Sequence, residues 1–307
     1  MYKSHIYTRR AKRSKMVHAY KFPDRKIGLR RNLTILSLII SFCWMLPPAI
    51  FAQDMKLVGH LVQGGVVQGR IDPKARITFK GRNVRVSNEG LFLLGFGRDE
   101  PGTVRFTVTF PDGQTKTKTL SIRERKYEIQ RIDGLPESKV SPTKQNLARI
   151  RAEAAKIKAT RTRDDARADF LTGFIWPVKG RISGVYGSQR ILNGKPRRPH
   201  FGVDIAAPAG TKIRAPASGI VTLIHPDMFF SGGTLILDHG HGLSSSFLHL
   251  KRILVKEGER VRQGDIIAHV GATGRVTGAH LDWRINLFGT RLDPQLLMVS
   301  DIFVRQD

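Results

Sequence analysis

Only one cysteine occurs in the 307 residues, Cys43, and it sits inside an apolar run near the N-terminus, beside a phenylalanine too bulky for a lipoprotein cleavage site. Beyond that run the chain has no thiol. Disulfide staples and cysteine metal ligands are therefore excluded, and a metal site in an exported form must use histidine and carboxylate. Acidic residues are also scarce: 25 Asp and Glu stand against 52 Lys and Arg, for a formal net charge of +27. Such an excess draws a protein to anionic polymers, a membrane surface or nucleic acid. A solvated basic surface is the simpler alternative. The length suits two domains and a large core.

Charge of either sign is absent from residues 33–52, directly after a basic leader in which eleven Lys and Arg face the single Asp24. A positive leader, an apolar run from Leu33 to Leu46 and a small residue at Ala52 are the order of a secretory signal. Cleavage is expected after Ala52, and the paired prolines Pro47-Pro48 favour it. The stretch to Ala52 is also long enough for an uncleaved membrane anchor, which takes about 20 residues. Either reading exports the rest of the chain to the periplasm or cell envelope. That argues against nucleic acid and leaves anionic envelope polymers as partners.

The expected organisation is mostly β. Residues 53–136 show short β-rich runs between turn residues: Leu57–Val62, Ile77–Phe79, Val84–Val86, Leu91–Phe96, Val104–Phe110 and Thr115–Ile122. Alternation in Val104–Phe110, followed by the turn Pro111-Asp112-Gly113, gives a hairpin. Six such strands predict a small β-sandwich with no catalytic constellation, a spacer or docking module. Residues 137–173 form a helical linker, expected to open at Ser141-Pro142 and to carry Leu147, Ile150, Ala154 and Ile157 on one face. From 174 to 298 a second β-rich, glycine-dense domain folds short antiparallel strands around one groove. Residues 299–307 remain as a tail.

Candidate chemistry lies in that second domain. A zinc hydrolase wants three protein ligands and an open position for water. His200 and Asp204 are candidate ligands, on a loop entering a strand because Gly202 and β-type neighbours surround them. His280 and Asp282 lie two apart, so a strand points both to one face. One of that pair can hold metal while the other moves protons. His249 lies between the two clusters.

These residues fall into an ordered pattern: His200-Phe201-Gly202-Val203-Asp204, then Phe247-Leu248-His249-Leu250, then Gly258 through Val261 and Gly264 to Ile267, then Thr277-Gly278-Ala279-His280-Leu281-Asp282. The pattern resembles that of the lysostaphin-type zinc endopeptidases, which cut peptide cross-bridges of peptidoglycan. The resemblance spans roughly residues 175–298. It implies zinc held by His200, Asp204 and Asp282, the last in place of the final histidine of the HLH motif. His249 and His280 would then be general base and oxyanion stabiliser. Peptidoglycan peptide stems or cross-bridges would be the substrate.

The departure at Asp282 brings two negative charges to the metal, which lowers its Lewis acidity and suits harder ions. On that ground Asp282→His is expected to preserve or raise zinc affinity. The same departure supports a second reading, a family member of little or no activity that binds the cell wall or activates other wall hydrolases. Retention of both His249 and His280 argues for catalysis. Trp283 is expected to wall the groove, and Arg284 to attract a stem carboxylate, as Arg197 and Arg198 would at the other rim. His225 reads as a turn residue and His269 as a core histidine. His239 and His241 flank a turn, with His241 the candidate to replace the missing imidazole.

Overall fold

The computed structural model describes residues 55–298 and 302–303. The leader, signal and anchor readings of residues 1–52 lie outside the described residues, as does the tail apart from residues 302 and 303. Among the described residues no helix is long and apolar enough to cross a membrane.

Seven strands build the N-terminal module: β1 (Leu57–Gly59), β2 (Val66–Arg70), β3 (Arg76–Phe79), β4 (Arg82–Val84), β5 (Leu91–Gly95), β6 (Thr103–Thr109) and β7 (Thr115–Ser121). They form two sheets, β1-β2-β5 and β4-β3-β6-β7. Phe92 and Leu94 of one sheet pack with Ile77, Phe106 and Val108 of the other, so the module is a sandwich. The alternation read in β6 is real, with Val104, Phe106 and Val108 inward. Strand β2 went unread because Gly64-Gly65 and Gly69 punctuate it. Gly69 is there for space: a Cβ would lie 2.2 Å from the Phe92 ring. Strand β5 is buried along its whole length, because Leu93 and the neighbouring Val66 pack into the larger C-terminal core.

Strand β8 (Ile129–Ile132) leads into a short helix α1 (Glu137–Val140) and a longer one, α2 (Lys144–Thr160). The expected opening at Ser141-Pro142 moves. Ser141 closes α1, and Thr143 caps α2 by accepting from the Asn146 N–H at 3.4 Å. No residue of α2 is buried. Ile157 packs on Leu223, Met228 and Ile236, and Glu153 accepts from the Phe229 N–H at 2.8 Å.

The C-terminal domain contains β9 (Arg181–Gly184), β10 (Gln189–Leu192), β11 (Lys195–Pro196), β12 (Val203–Ala206), β13 (Lys212–Arg214), β14 (Gly219–Met228) and β15 (Gly232–Gly240). It continues with β16 (Leu243–Ile253), β17 (Arg260–Val261), β18 (Ile266–Val270), β19 (His280–Leu287) and β20 (Thr290–Leu292). The large sheet runs β17-β14-β15-β16-β19-β12-β9, with β13, β18 and β20 joined to it. Each of its pairings is antiparallel. Strand β19 is the spine of the site. Antiparallel register sets Asp282 opposite Asp204 on one side and Leu248 on the other.

Alternation along β19 sends Leu281, Trp283 and Ile285 into the core and Asp282 to the other face. Trp283 therefore does not wall the groove. It is 0% exposed and meets Trp176 edge-on at 5.8 Å. Truncation of a buried aromatic removes packing and leaves a cavity, so Trp283→Ala should cost about 3–5 kcal/mol in urea denaturation. A change near zero with weakened substrate binding would restore the groove-wall reading.

Candidate metal centre and active site

Three side chains converge above the β12–β19 pair. His200 enters just before β12, held by its own N–H on Ser188 O and by its carbonyl on the Gly187 N–H. Its Nε2 lies 3.1 Å from Asp204 Oδ1 and 3.5 Å from Asp282 Oδ1. Ligand atoms of the three residues all lie within 4.8 Å of one another, and among the described residues this is the one such group. All three side chains are buried.

Glycines make the room. A Cβ on Gly184 of β9 would meet Asp204 Oδ2 at 2.4 Å, and one on Gly202 would meet Asp282 Oδ1 and Arg284 Cγ at 2.6 Å each. The glycine inside His200-Phe201-Gly202-Val203-Asp204 is thus a space requirement of the carboxylate across the sheet.

Two arginines hold the carboxylates. Arg190 of β10 donates through Nη2 to Asp204 Oδ2. Arg284 donates from Nε to Asp282 Oδ1 at 2.9 Å and from Nη2 to Oδ2 at 2.5 Å. Arg284 is therefore committed to Asp282 and does not reach for a substrate carboxylate. Burial by itself would raise the Asp282 carboxyl, but Arg284 and then His200 outweigh it and hold the group well below the usual carboxylate range. Asp204 is also lowered: burial opposes, and His200 with Arg190 prevail over the repulsion of Asp282. Burial works against a proton on His200, yet the two carboxylates raise it overall.

A divalent cation fits this arrangement. His200 Nε2 and Asp204 Oδ1 are buried without a hydrogen bond, an unfavourable state for acceptors. Tetrahedral zinc with bonds of about 2.0–2.1 Å spaces its ligand atoms by about 3.3 Å, between the two His200–carboxylate distances. One imidazole and two carboxylates form a donor set that zinc accepts.

His249 and His280 flank the group. Backbone at His249 is left-handed, with φ 65°. That breaks the alternation of β16 and turns the ring to the site, where Nε2 lies 4.0 Å from Asp282 Oδ2. Its Nδ1 meets the Thr273 carbonyl at 2.8 Å. A carbonyl only accepts, so Nδ1 carries the proton and Nε2 is left with its lone pair. Burial pushes the His249 imidazole down to about 4. His280 Nδ1 meets Gly278 O at 2.9 Å, its Nε2 lies 3.8 Å from Asp204 Oδ1, and its ring centroid is 4.9 Å from that of His249.

The remaining histidines stay outside the group. His241 packs edge-on against Phe170 at 5.4 Å, in the turn between β15 and β16. His239 meets Ser218 O at 2.6 Å and Ser245 Oγ at 2.8 Å. His269 is half-buried on β18, and His225 accepts from the Asp227 N–H. Neither His239 nor His241 supplies a third imidazole.

Arg190, Arg275 and Thr273 had no signal in the sequence, where a further arginine is indistinguishable from the basic background. Arg275 is pushed down to about 10, by burial first and then by Arg190, Arg284 and Arg197. It donates to Lys139 O at 3.3 Å. From the opposite wall Arg197 donates to Val140 O at 3.0 Å. Helix α1 therefore bridges the two walls, with Lys139 also donating to Phe229 O. Arg198 lies near enough to Arg291 to help lower it.

Two outcomes follow from this geometry. Gly202→Ala should cut affinity for a divalent metal by about tenfold or more, the usual cost of disturbing the support of a metal site, and metal analysis of the purified variant checks it. His239, neutral and buried, falls to about 4 in the fold, burial being the main cause. Below about pH 6.5 the unfolded chain takes a proton that the fold refuses, so stability should fall between about pH 6.5 and 4, by up to roughly 3 kcal/mol. Urea denaturation at pH 7 and 5 should show that loss, and His239→Gln should reduce it.

Comparison with known proteins gives the family of the chain. The model of peptidase family M23 matches residues 198–294. A crystal structure of a protein from Pseudomonas aeruginosa described as an M23 peptidase is 32% identical, with a TM-score of 0.60, covering 77% of this chain and 94% of that one. The peptidoglycan DD-endopeptidase ShyA of Vibrio cholerae is 37% identical over 119 residues, 37% of this chain. The DD-carboxypeptidase/endopeptidase Mpg of Neisseria meningitidis is 37% identical over 117 residues, 38% of this chain. The match spans 27% of the length of each of these two relatives. On the match of the family model and the likeness to the Pseudomonas aeruginosa structure, the chain belongs to peptidase family M23.

Proposed function

We propose that the protein is a zinc-dependent endopeptidase that hydrolyses peptide bonds of peptidoglycan in the bacterial cell envelope. The observation that carries this is the convergence of His200, Asp204 and Asp282, with buried acceptors lacking a hydrogen bond, next to two imidazoles whose Nε2 atoms face the group. His200, Asp204 and Asp282 would hold the zinc. When bound, it supplies Lewis acidity to a water and a substrate carbonyl.

The two histidines divide the proton work. His249 is buried and neutral at pH 7, with its Nε2 lone pair free, so it accepts the proton at that atom as general base. His280, whose side chain is 18% exposed, turns Nε2 to the group, and donates there to the developing oxyanion in its doubly protonated form, in which both ring nitrogens carry a proton. Thr273 O and Gly278 O each accept from Nδ1–H and so orient both rings with Nε2 toward the group.

The walls carry arginines. Arg197 lies close enough to Arg275 to help push it down, and such positive charge beside the group complements the carboxylates of peptide stems. The alternative, a wall-binding module of little activity, rests on Asp282 standing where the family's pattern ends in histidine. Export of the mature chain, through the leader in residues 1–52, would bring it to this substrate.

Isolated peptidoglycan should be digested by the purified protein, stop being digested with chelator, and be digested again when zinc is returned. His249→Ala should lower turnover by about 10²–10⁴-fold with zinc still bound. Loss of zinc in that variant would make His249 a ligand. Bound zinc without cleavage by the unaltered protein would favour the wall-binding module.

A further inference from the structure

Asp282 and Arg284 are two residues apart on β19 and share its face. The guanidinium meets the carboxylate in the bidentate fork that gives both strength and orientation, through Nε to Oδ1 and Nη2 to Oδ2. Asp282 is 1% exposed and the Arg284 side chain 24%, so water screens the pair little.

The site's two arginines act differently. Arg190 binds Asp204 through Oδ2 and leaves Oδ1, which faces His200, without a hydrogen bond. Arg284 takes one lone pair from each Asp282 oxygen and so fixes the carboxylate plane. A second lone pair on each remains for a cation. Gly202 exists where a Cβ would strike both members of the pair, Asp282 Oδ1 and Arg284 Cγ. The loop that delivers His200 is thus fitted to the Asp282–Arg284 unit rather than to Asp282 alone.

We propose that Arg284 is a positioning residue for the metal: paired with Asp282, it presents the cation with a donor that carries no net charge, as an imidazole would, in one fixed orientation. The inference rests on the zinc reading above. It reverses the expectation drawn from sequence for Asp282→His. That change alone leaves a guanidinium without its carboxylate beside a cation, so it weakens zinc binding instead of preserving it.

The test is a two-by-two set on the purified full chain: unaltered protein, Arg284→Gln, Asp282→His and the double variant. Zinc affinity is measured by competition with a chromophoric chelator, and Co2+ absorption reads the coordination. Each single change should weaken zinc by about tenfold or more. The double variant should recover most of that loss, because Arg284→Gln is harmful beside the carboxylate and beneficial beside the imidazole. Arg284→Lys, which keeps the charge without the fork, should retain zinc better than Arg284→Gln and show an altered Co2+ spectrum.

Equal zinc affinity and an unchanged Co2+ spectrum in Arg284→Gln would overturn the inference. So would Asp282→His binding zinc as tightly as the double variant. If Asp282→His fails to fold, as judged by circular dichroism, the Arg284→Gln and Arg284→Lys pair decides the matter. Absence of zinc binding in the unaltered protein would refute the metal reading itself, and this inference with it.

Discussion

Two carboxylates face each other across adjacent strands, Asp204 opposite Asp282, inside a region from which water is nearly excluded. Like charges directly opposed on a sheet repel, and burying an unpaired charge is costly. The neighbourhood is built around that conflict. Arg190 and Arg284 each neutralise one carboxylate, and Gly184 and Gly202 give up their side chains so that the carboxylates fit. What the arginines leave is His200 Nε2 and Asp204 Oδ1, 3.1 Å apart and buried without a hydrogen bond. A divalent cation satisfies both at once.

The fold makes this pairing stable through the other face of the same strands. Val203 stands opposite Trp283, and Phe247 opposite Trp283 on the far side, and all are fully buried. The strands that carry Asp204 and Asp282 are thus each pinned by core packing one residue away from the carboxylate. The N-terminal module contributes to that core through Val66 and Leu93. Its position is therefore coupled to the sheet that carries the site, which a loosely tethered spacer would not be.

Much of this was legible in the chain. His200, Asp204 and Asp282 stand in an ordered pattern with His249 and His280, and β-rich runs between turn residues located the strands of the N-terminal module other than β2, with alternation clearest in β6. The remainder was hidden for identifiable reasons. Strand β2 is punctuated by glycines that serve packing, so composition reads it as a turn. Trp283 is polar-tipped and follows a ligand, yet strand parity commits it to the core. Arg284 looks like a substrate contact until its distance to Asp282 is known, because a sequence gives side-chain direction on a strand but not which neighbour a long side chain chooses. Arg190 lies ten residues before His200 on a separate strand, and only tertiary structure brings it to Asp204.

The account stands on one cation shared by His200, Asp204 and Asp282. Diffraction recorded on both sides of the zinc absorption edge, from crystals of the purified protein grown with zinc, measures this directly. The account predicts an anomalous peak within about 2.0–2.2 Å of His200 Nε2 and of one oxygen from each aspartate. A peak coordinated elsewhere, or none while Arg190 and Arg284 keep both carboxylates, would contradict it.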